Sequence, residues 1–256
     1  MRSKLPLLAA ALLCSLICAN TLEIDKTDGG YKDLLISINQ DVPYNETIVE
    51  NIKSLLRSSS HFLHRATNGL VYFKHVIINF PNTWPERSGA RRLSSSSFEK
   101  SDVRVAVPGS MAQERPFTKQ LRPCGKPGDY IQLSPTFLAE LNGSTTNKFE
   151  NPAYVFVHEW AHFRYGVFDE YGRRDDDKYP LTYCDGKEVK LNACSKRLRY
   201  IPKLPSGEWC KLNKATCTFS KDCPIRFTTS AKDPVESSIM FMPYVANVSQ
   251  FCDSSN

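Results

Sequence analysis

Hydrophobic and polar positions along the chain predict strands and helices that alternate. An apolar run at 33–39 predicts a first strand. From Glu46 to about Arg65, apolar residues recur at helical spacing, and Asn45 precedes them as a helix cap. The same patterns predict strands at 71–80, 102–107 and 129–133, and helices that begin at Ser134-Pro135 and Asn151-Pro152. This order predicts an α/β fold with a mixed sheet and helices packed on it.

The N-terminus predicts secretion. Arg2 and Lys4 precede an apolar run that ends at the small residue Ala19, which is the pattern of a signal peptide at residues 1–19. The run has 15 residues, fewer than the ~20 that cross a bilayer as a helix. No later stretch is long and apolar enough to span a membrane. We therefore expect a secreted, extracellular domain over residues 20–256, without a transmembrane segment.

Composition and charge exclude several other classes of protein. The length of 256 residues suits one large domain or two small ones. Hydrophobic residues make up 41% and charged residues 23% of the chain, which excludes a disordered or coiled-coil protein. The formal charge of +6 is scattered, with no long Lys/Arg block, and therefore predicts no nucleic-acid binding.

Cysteines and glycosylation sequons fit a secreted chain. Seven cysteines follow the signal peptide, and because none are spaced as C-x-x-C, disulfides are favoured over a structural zinc knuckle. Since seven is odd, one thiol is free, pairs with another chain, or lacks its partner. The disulfide candidates, five of them in a cysteine-rich segment at 184–223, are Cys124, Cys184, Cys194, Cys210, Cys217, Cys223 and Cys252. Sequons that predict N-glycosylation stand at Asn45, Asn142 and Asn247.

A histidine pair carries the clearest chemical signal. His158 and His162 are four residues apart after an apolar lead-in, so on a helix they project from one face at a spacing that suits two zinc ligands. Glu159 lies beside them as a candidate general base that takes a proton from a water molecule. Gly166 can adopt the left-handed conformation that turns the chain, and Asp169 can then return as an oxygen ligand.

This stretch resembles the metzincin motif His-Glu-x-x-His-x-x-Gly-x-x-His, with two departures. One extra residue precedes Gly166, and Asp169 stands where the motif has its third histidine. Glu170 carries a second carboxylate near the same position, as the alternative ligand or as a partner that orients a histidine. Met240, in Ser-Ser-Ile-Met-Phe-Met, is a candidate for the Met-turn that lies under the zinc in metzincins, and ordinary core packing is the other interpretation.

A longer string, His-Glu-Trp-Ala-His-Phe-Arg-Tyr-Gly-Val-Phe-Asp-Glu-Tyr at 158–171, resembles the signature of the calcium-activated chloride channel regulator (CLCA) family. The resemblance covers nearly the whole chain, including the signal peptide, Tyr72–Val76, the cysteine-rich segment, and Ser238-Ile-Met-Phe followed by Phe251-Cys252. Full-length members continue into further domains. This sequence stops at Asn256, so we expect a natural truncated member or a fragment.

The resemblance implies a function and the residues that perform it. The implied fold is a zincin (metzincin-like) catalytic domain with a mixed sheet, an active-site helix and the cysteine-rich segment. Zinc is the implied cofactor, with His158, His162 and Asp169 as ligands and Glu159 as catalytic base. Members are secreted or surface-associated, cleave themselves and modulate calcium-activated chloride currents. The implied partners are a peptide or protein substrate and a chloride channel or other membrane protein at the cell surface. The alternative is a non-catalytic secreted regulatory or decoy module with a structural zinc site.

Overall fold

A computed structural model describes residues 22–86, 98–142, 151–174, 176–186, 188–196, 198–228, 235–242 and 250–252. The predicted signal peptide at 1–19 and the sequon at Asn247 lie outside the described residues, and Asn142 is described by its backbone alone. The helices are α1 (Glu46–Ala66), α2 (Pro135–Ala139) and α3 (Pro152–Trp160), and a π-helical turn at Ala161–Tyr165 continues α3. Short 3-10 turns lie at Met111–Glu114 and Glu140–Asn142.

The principal sheet is mixed, as the sequence predicts. The described strands that precede α3 are β1 (Glu23–Ile24), β2 (Gly30–Lys32), β3 (Leu34–Ile38), β4 (Tyr72–Phe73), β5 (Val76–Asn79), β6 (Val103–Val105), β7 (Phe117–Lys119) and β8 (Tyr130–Leu133). Five of them form a sheet in the order β5-β3-β6-β8-β7. β3 is parallel to β5 and β6, and β6 is parallel to β8. β7 is antiparallel to β8 at the edge, and its three residues are too few for the alternation pattern to predict it.

The strand predicted at 71–80 is two strands, β4 and β5, which belong to different sheets. Between them, the backbone amides of Lys74 and His75 both donate to the carbonyl oxygen of Tyr31, which interrupts the ladder. β4 runs parallel to β2, which pairs antiparallel with β1, whereas β5 joins β3. The prediction of a single strand is wrong. A run of apolar and β-branched residues indicates extended backbone, but it does not indicate which strand each residue pairs with.

A side-chain cap begins each α-helix of the described residues where the sequence predicts. The Asn45 side chain accepts a hydrogen bond from the amide of Thr47 at 2.9 Å, and Ser134 Oγ accepts one from Phe137 at 3.0 Å. Asn151 caps α3 in the same way, with proline at the first helical position. Asn45 is exposed, and its glycosylation stays a prediction. Within the described ranges, no helix combines the length and the apolar character that a bilayer span requires.

An apolar core joins the sheet, the helices and a stretch near the C-terminus. α1 and α3 pack together, with the ring of Phe62 edge-on to that of Tyr154 at 5.6 Å between centroids. The fully buried ring of Trp160 lies 4.9 Å from that of Tyr31 and 4.7 Å from that of Phe73. The buried hydrophobic residues of the described stretch near the C-terminus are Val235, Ile239, Met240 and Phe241. Packing along its length therefore fixes the helix that carries the histidines.

The cysteine-rich segment folds as short paired strands tied by disulfides. The described strands after α3 are β9 (Thr182–Asp185), β10 (Glu188–Leu191), β11 (Ser195–Lys196), β12 (Arg199–Pro202), β13 (Leu212–Asn213), β14 (Thr218–Phe219), β15 (Ile225–Thr228) and β16 (Glu236–Ser237). They pair as β9 with β10, β11 with β16, β12 with β15 and β13 with β14. The disulfides of the described residues are Cys184–Cys217, Cys194–Cys252 and Cys210–Cys223.

Cys124, the remaining disulfide candidate, is an exposed free thiol among the described cysteines. It lies on the loop before β8, where the amide of Gly125 donates to the carbonyl of Gly166 at 2.9 Å. The six bonded cysteines all lie between 184 and 252. Of the seven disulfide candidates, Cys124 is thus the odd cysteine that the sequence predicts, and it takes no part in the intramolecular disulfides of the described residues.

Candidate metal centre

The end of α3 brings the two histidines together. His158 lies in the last turn of α3, and His162 lies in the π-helical turn that follows. The Nε2 atoms of the two rings are 3.2 Å apart. Gly166 ends the turn at φ 67°, and a Cβ atom there would lie 2.3 Å from the carbonyl oxygen of Lys126, so the position requires glycine. This left-handed turn confirms the prediction for Gly166 and sends the chain back toward the histidines.

Asp169 is the carboxylate that meets the two rings. Its Oδ1 lies 3.3 Å from Nε2 of His158 and 3.2 Å from Nε2 of His162. The side chains of all three residues are at most 20% exposed, so water screens their interactions weakly. A carboxylate oxygen of Glu170, the alternative ligand, lies instead near the sulfur atoms of the Cys194–Cys252 disulfide.

Backbone carbonyls fix the orientation of both rings. Nδ1 of His158 is 2.8 Å from the carbonyl oxygen of Ile239, and Nδ1 of His162 is 2.7 Å from that of Val167. Because a carbonyl oxygen only accepts hydrogen bonds, each Nδ1 carries a proton, and the neutral ring presents an unprotonated Nε2. Carbonyl partners of this kind are the ones that usually orient metal-binding histidines.

The spacing of the three donor atoms fits a metal ion. Asp169 Oδ1 is buried and has no hydrogen-bond partner in the described part of the chain. Its lone pairs face those of two unprotonated Nε2 atoms, an arrangement that a cation between them stabilises. In a tetrahedral zinc site with bonds of about 2.0–2.1 Å, two ligand atoms are about 3.3–3.4 Å apart. The observed separations of 3.2–3.3 Å are close to that value. Imidazole and carboxylate donors suit zinc and other first-row transition metals.

The electrostatics of the site also favour a positive charge. Burial raises the pKa of the Asp169 carboxyl, but the adjacent His158 and His162 rings together outweigh burial and hold the pKa well below its usual range. Burial lowers the pKa of the His162 ring, but the Asp169 and Glu159 carboxylates and the Val167 carbonyl together raise it by more, so the net pKa lies above its ordinary value. Both shifts mean that the pocket stabilises a cation beside this carboxylate.

A cleft of about 1380 Å³ opens over the histidines, and Glu159 lines it beside them. Burial raises the pKa of the Glu159 carboxyl, and the nearby histidines lower it in part. Thr118 Oγ1 donates to the carbonyl oxygen of Glu159 at 2.7 Å, which ties β7 to α3. Strand β7 therefore lines the cleft together with the candidate metal ligands and the partly buried Glu159 carboxylate.

Met240 lies in a buried turn that contacts the centre through its backbone. The Ile239 carbonyl oxygen accepts from the His158 ring and, at 2.9 Å, from the Tyr154 hydroxyl. The carbonyl oxygen of Met240 accepts from the amide of Glu170 at 2.9 Å. This turn thus holds both the histidine helix and the segment that follows Asp169. The specific role predicted for the Met240 side chain, which is 1% exposed, stays a prediction.

Two features of the centre go beyond the sequence predictions. The π-helical turn at Ala161–Tyr165 has a visible signal, namely the extra residue before Gly166. Arg173 Nη2 lies 3.2 Å from Oδ2 of Asp169. No sequence pattern indicates that contact. A spacing of four residues predicts neighbouring side chains only on a helix, and the segment that joins these two residues is not helical.

Known proteins provide an independent comparison. A family model described as "Calcium-activated chloride channel N terminal" matches residues 24–256. The chain is 32% identical over 249 residues to calcium-activated chloride channel regulator 4 of Homo sapiens, covering 94% of this chain and 26% of that relative. It is 36% identical over 232 residues to regulator 2 of Homo sapiens, covering 89% and 23%. It is 29% identical over 261 residues to regulator 1 of Mus musculus, covering 100% and 28%. No solved structure matches the chain.

The fold and the site define a mixed α/β domain. At the end of a buried helix it brings together two imidazole nitrogens and a carboxylate oxygen, a set of ligand atoms that could hold a metal ion. The chain belongs to the calcium-activated chloride channel regulator family, and the match lies in the N-terminal region of that family. The resemblance seen in the sequence is thereby confirmed. The chain spans about a quarter of the length of the curated relatives it matches, 26% in the case of human regulator 4.

Proposed function

We propose that residues 20–256 form a secreted, metzincin-like zinc metalloendopeptidase domain, released by cleavage of a signal peptide at 1–19. The observation that carries the proposal is the meeting of His158, His162 and Asp169 on a cleft that Glu159 also lines. The disulfides support an oxidising, extracellular environment.

Each residue has its own part in the proposed hydrolysis. His158, His162 and Asp169 would hold the zinc ion, which would supply a Lewis acid for the scissile carbonyl and for the attacking water. Glu159 takes the proton of the attacking water and passes it to the leaving amine nitrogen. The raised pKa of the Glu159 carboxyl suits this role, because a base that holds its proton more strongly is better matched to neutral pH.

The π-helical turn supports the metzincin-like assignment. The metzincin motif has two residues between its second histidine and the glycine, whereas three residues follow His162 before Gly166. A π-helical turn takes up one more residue than an α-helical turn, because its hydrogen bonds join residues five apart. The turn at Ala161–Tyr165 therefore absorbs the extra residue. Gly166 can still reverse the chain, and Asp169 can take the place of the third histidine.

The cleft suits an extended peptide. β7 pairs with β8 on one side, and the described residues provide no strand on its other side, so the backbone at Phe117 and Thr118 can pair with a substrate strand. Three exposed aromatic residues also line the cleft: Phe168, Tyr179 and Tyr183. We expect these rings to favour substrates with large apolar side chains near the scissile bond.

A regulatory role is the second part of the proposal. The relatives are named chloride channel regulators, and membership of their family supports modulation of calcium-activated chloride conductance through a channel or other membrane protein at the cell surface. Recordings of this current from cells exposed to the purified protein address that role directly.

Glu159→Gln tests the hydrolytic mechanism. The change removes the proton acceptor and keeps the three metal ligands. We therefore expect cleavage of casein and of a peptide panel to fall by about 10²–10⁴-fold, with the zinc content unchanged. Glu188→Gln, at an exposed position of β10, is the matched control and should keep full activity. Zinc content is measured by mass spectrometry on the purified, signal-cleaved protein.

His158→Ala, which should abolish zinc binding, separates the site from the chemistry. Unchanged cleavage by Glu159→Gln would contradict the mechanism, and absence of zinc from the wild-type protein would contradict the site. Bound zinc without turnover in the wild-type protein, together with lower thermal stability in a chelator, would support the non-catalytic module instead.

A further inference from the structure

The two oxygens of the Asp169 carboxylate have different surroundings. Oδ1 is buried, has no hydrogen-bond partner among the described residues, and lies within 3.3 Å of both histidine Nε2 atoms. Oδ2 points the other way and is 3.2 Å from Nη2 of Arg173. One oxygen of the carboxylate therefore faces the two histidines, and the other contacts a guanidinium group.

The backbone of Arg173 is fixed by the chain beside it. Its amide donates to the carbonyl oxygen of Tyr179 at 2.8 Å, and its carbonyl accepts from the amide of Leu181 at 3.1 Å. At the preceding residue, Gly172, a Cβ atom would lie 2.0 Å from the carbonyl oxygen of Pro180, so the two segments approach as closely as glycine permits. The guanidinium therefore starts from a defined position, although its side chain is 67% exposed at the rim of the cleft.

We propose that Arg173 is a positioning residue of the metal centre, which holds Oδ2 of Asp169 and leaves Oδ1 as the single oxygen offered to the ion. This inference rests on the proposed metal site and extends it to a residue outside the ligand set. A carboxylate with both oxygens free can bind a metal ion through either or both. A guanidinium N–H on one oxygen occupies one of its two lone pairs and restrains rotation of the carboxylate plane.

Two consequences follow for the loaded protein. Without Arg173, Asp169 can rotate and bind through both oxygens, which raises the coordination number of the ion. The carboxylate also loses its fixed orientation, and the ion is held less tightly. Partners that orient metal ligands typically contribute 10–100-fold in metal affinity, and the exposed position of Arg173 indicates about tenfold.

The test uses metal binding and cobalt spectroscopy on the full secreted chain. Zinc affinity is measured by competition with a chromophoric chelator for the wild-type protein, Arg173→Gln and Arg173→Lys. The control is Arg174→Gln, which removes the same charge one residue further along the chain. We expect about tenfold weaker zinc binding for Arg173→Gln, partial recovery for Arg173→Lys, and wild-type affinity for Arg174→Gln.

The visible spectrum of the cobalt-substituted protein reports the geometry, which a purely structural role of Arg173 would not change. Four-coordinate cobalt absorbs more strongly than five-coordinate cobalt, so the bands of Arg173→Gln should weaken while those of Arg173→Lys and Arg174→Gln stay. Equal affinities and identical spectra for Arg173→Gln and Arg174→Gln would overturn the inference and leave the metal site standing. A wild-type protein that binds neither zinc nor cobalt would overturn the site itself, and this inference with it.

Discussion

The sheet-and-helix region that precedes Gly166 and the cysteine-rich segment are stabilised in different ways. The first contains most of the apolar core, with side chains such as Phe156 and Trp160 fully buried. Within the described part of the cysteine-rich segment, the buried hydrophobic residues are Cys210, Cys217 and Cys223, which all belong to disulfides. Burial of apolar surface stabilises one region, and covalent cross-links stabilise the other.

The candidate metal centre lies where these two regions meet. The histidines come from the core-packed helix, whereas the wall of the cleft includes Cys194. The amide of Cys194 donates to the carbonyl of Glu170, and its carbonyl accepts from the amide of Ser238 at 3.0 Å, next to the turn that orients His158. The geometry of the candidate site therefore depends both on apolar burial around the histidine helix and on the disulfide at Cys194.

Loss of a core aromatic ring should have the largest effect on stability. Phe156 is fully buried on α3, with its ring 5.8 Å from that of Phe73, so Phe156→Ala should cost about 4–5 kcal/mol of unfolding free energy. Phe219→Ala removes a half-buried ring from β14 in the cysteine-rich segment and should cost about 1 kcal/mol. Urea denaturation measures both. Equal losses would show that the cysteine-rich segment also depends on apolar burial.

Removal of individual disulfides should separate stability from metal binding. The Cys194–Cys252 bond spans 58 residues, and its loss through Cys194→Ser with Cys252→Ser should cost about 4 kcal/mol. The Cys210–Cys223 bond spans 13 residues, and the same double replacement should cost about 3 kcal/mol. We expect weaker zinc binding only in the first variant, because only that bond ties the chain beside the Met240 turn. Equal zinc affinities in the two variants would refute a role of the cross-link in the centre.

Asp102, in the core-packed region, should have a smaller effect on the free energy of unfolding, and this effect should depend on pH. Burial raises the pKa of its carboxyl from 3.8 to about 6, although the Leu35 amide donates to Oδ2 at 2.8 Å and the Arg164 charge also lowers it. The folded state therefore holds this proton more strongly than the unfolded chain does. Its contribution to stability is full below about pH 3.8 and is lost as the pH rises through about 6.

Asp102→Asn keeps an acceptor for the Leu35 amide and removes the titration. Relative to this variant, the wild-type protein should lose on the order of 1–2 kcal/mol of unfolding free energy between about pH 4 and about pH 7. Urea titrations at several pH values measure the difference. Asp129→Asn, at an exposed ion pair with Arg122, is the control. A constant difference between the wild-type protein and Asp102→Asn across this range would contradict the prediction.

Local signals in the sequence predicted much of the fold. Asn45, Ser134 and Asn151 each mark the start of a helix, because a cap acts on amides two or three residues away. The break between β4 and β5 depends on the distant carbonyl of Tyr31, which no local pattern records. The disulfide pairing is equally non-local, since six paired cysteines among seven allow many arrangements that spacing does not distinguish.

In the candidate site, too, the local features were predictable from the sequence and the non-local contacts were not. Helical spacing placed His158 beside His162, and the glycine at 166 predicted the reversal that returns Asp169. The carbonyls that fix the rings were not predictable in the same way. That of Ile239 comes from a residue 81 positions away, and whether a carbonyl faces a ring depends on the tertiary packing of the turn.

The distance in sequence between His158 and Ile239 has a consequence for biosynthesis. A nascent chain contains His158 81 residues before it contains the carbonyl that orients the ring. The Cys194–Cys252 bond cannot form until residue 252 has been translated and both thiols are in an oxidising environment. The candidate centre is therefore incomplete until both Ile239 and Cys252 have been translated, and under the proposed secretion it is completed only where that disulfide can form.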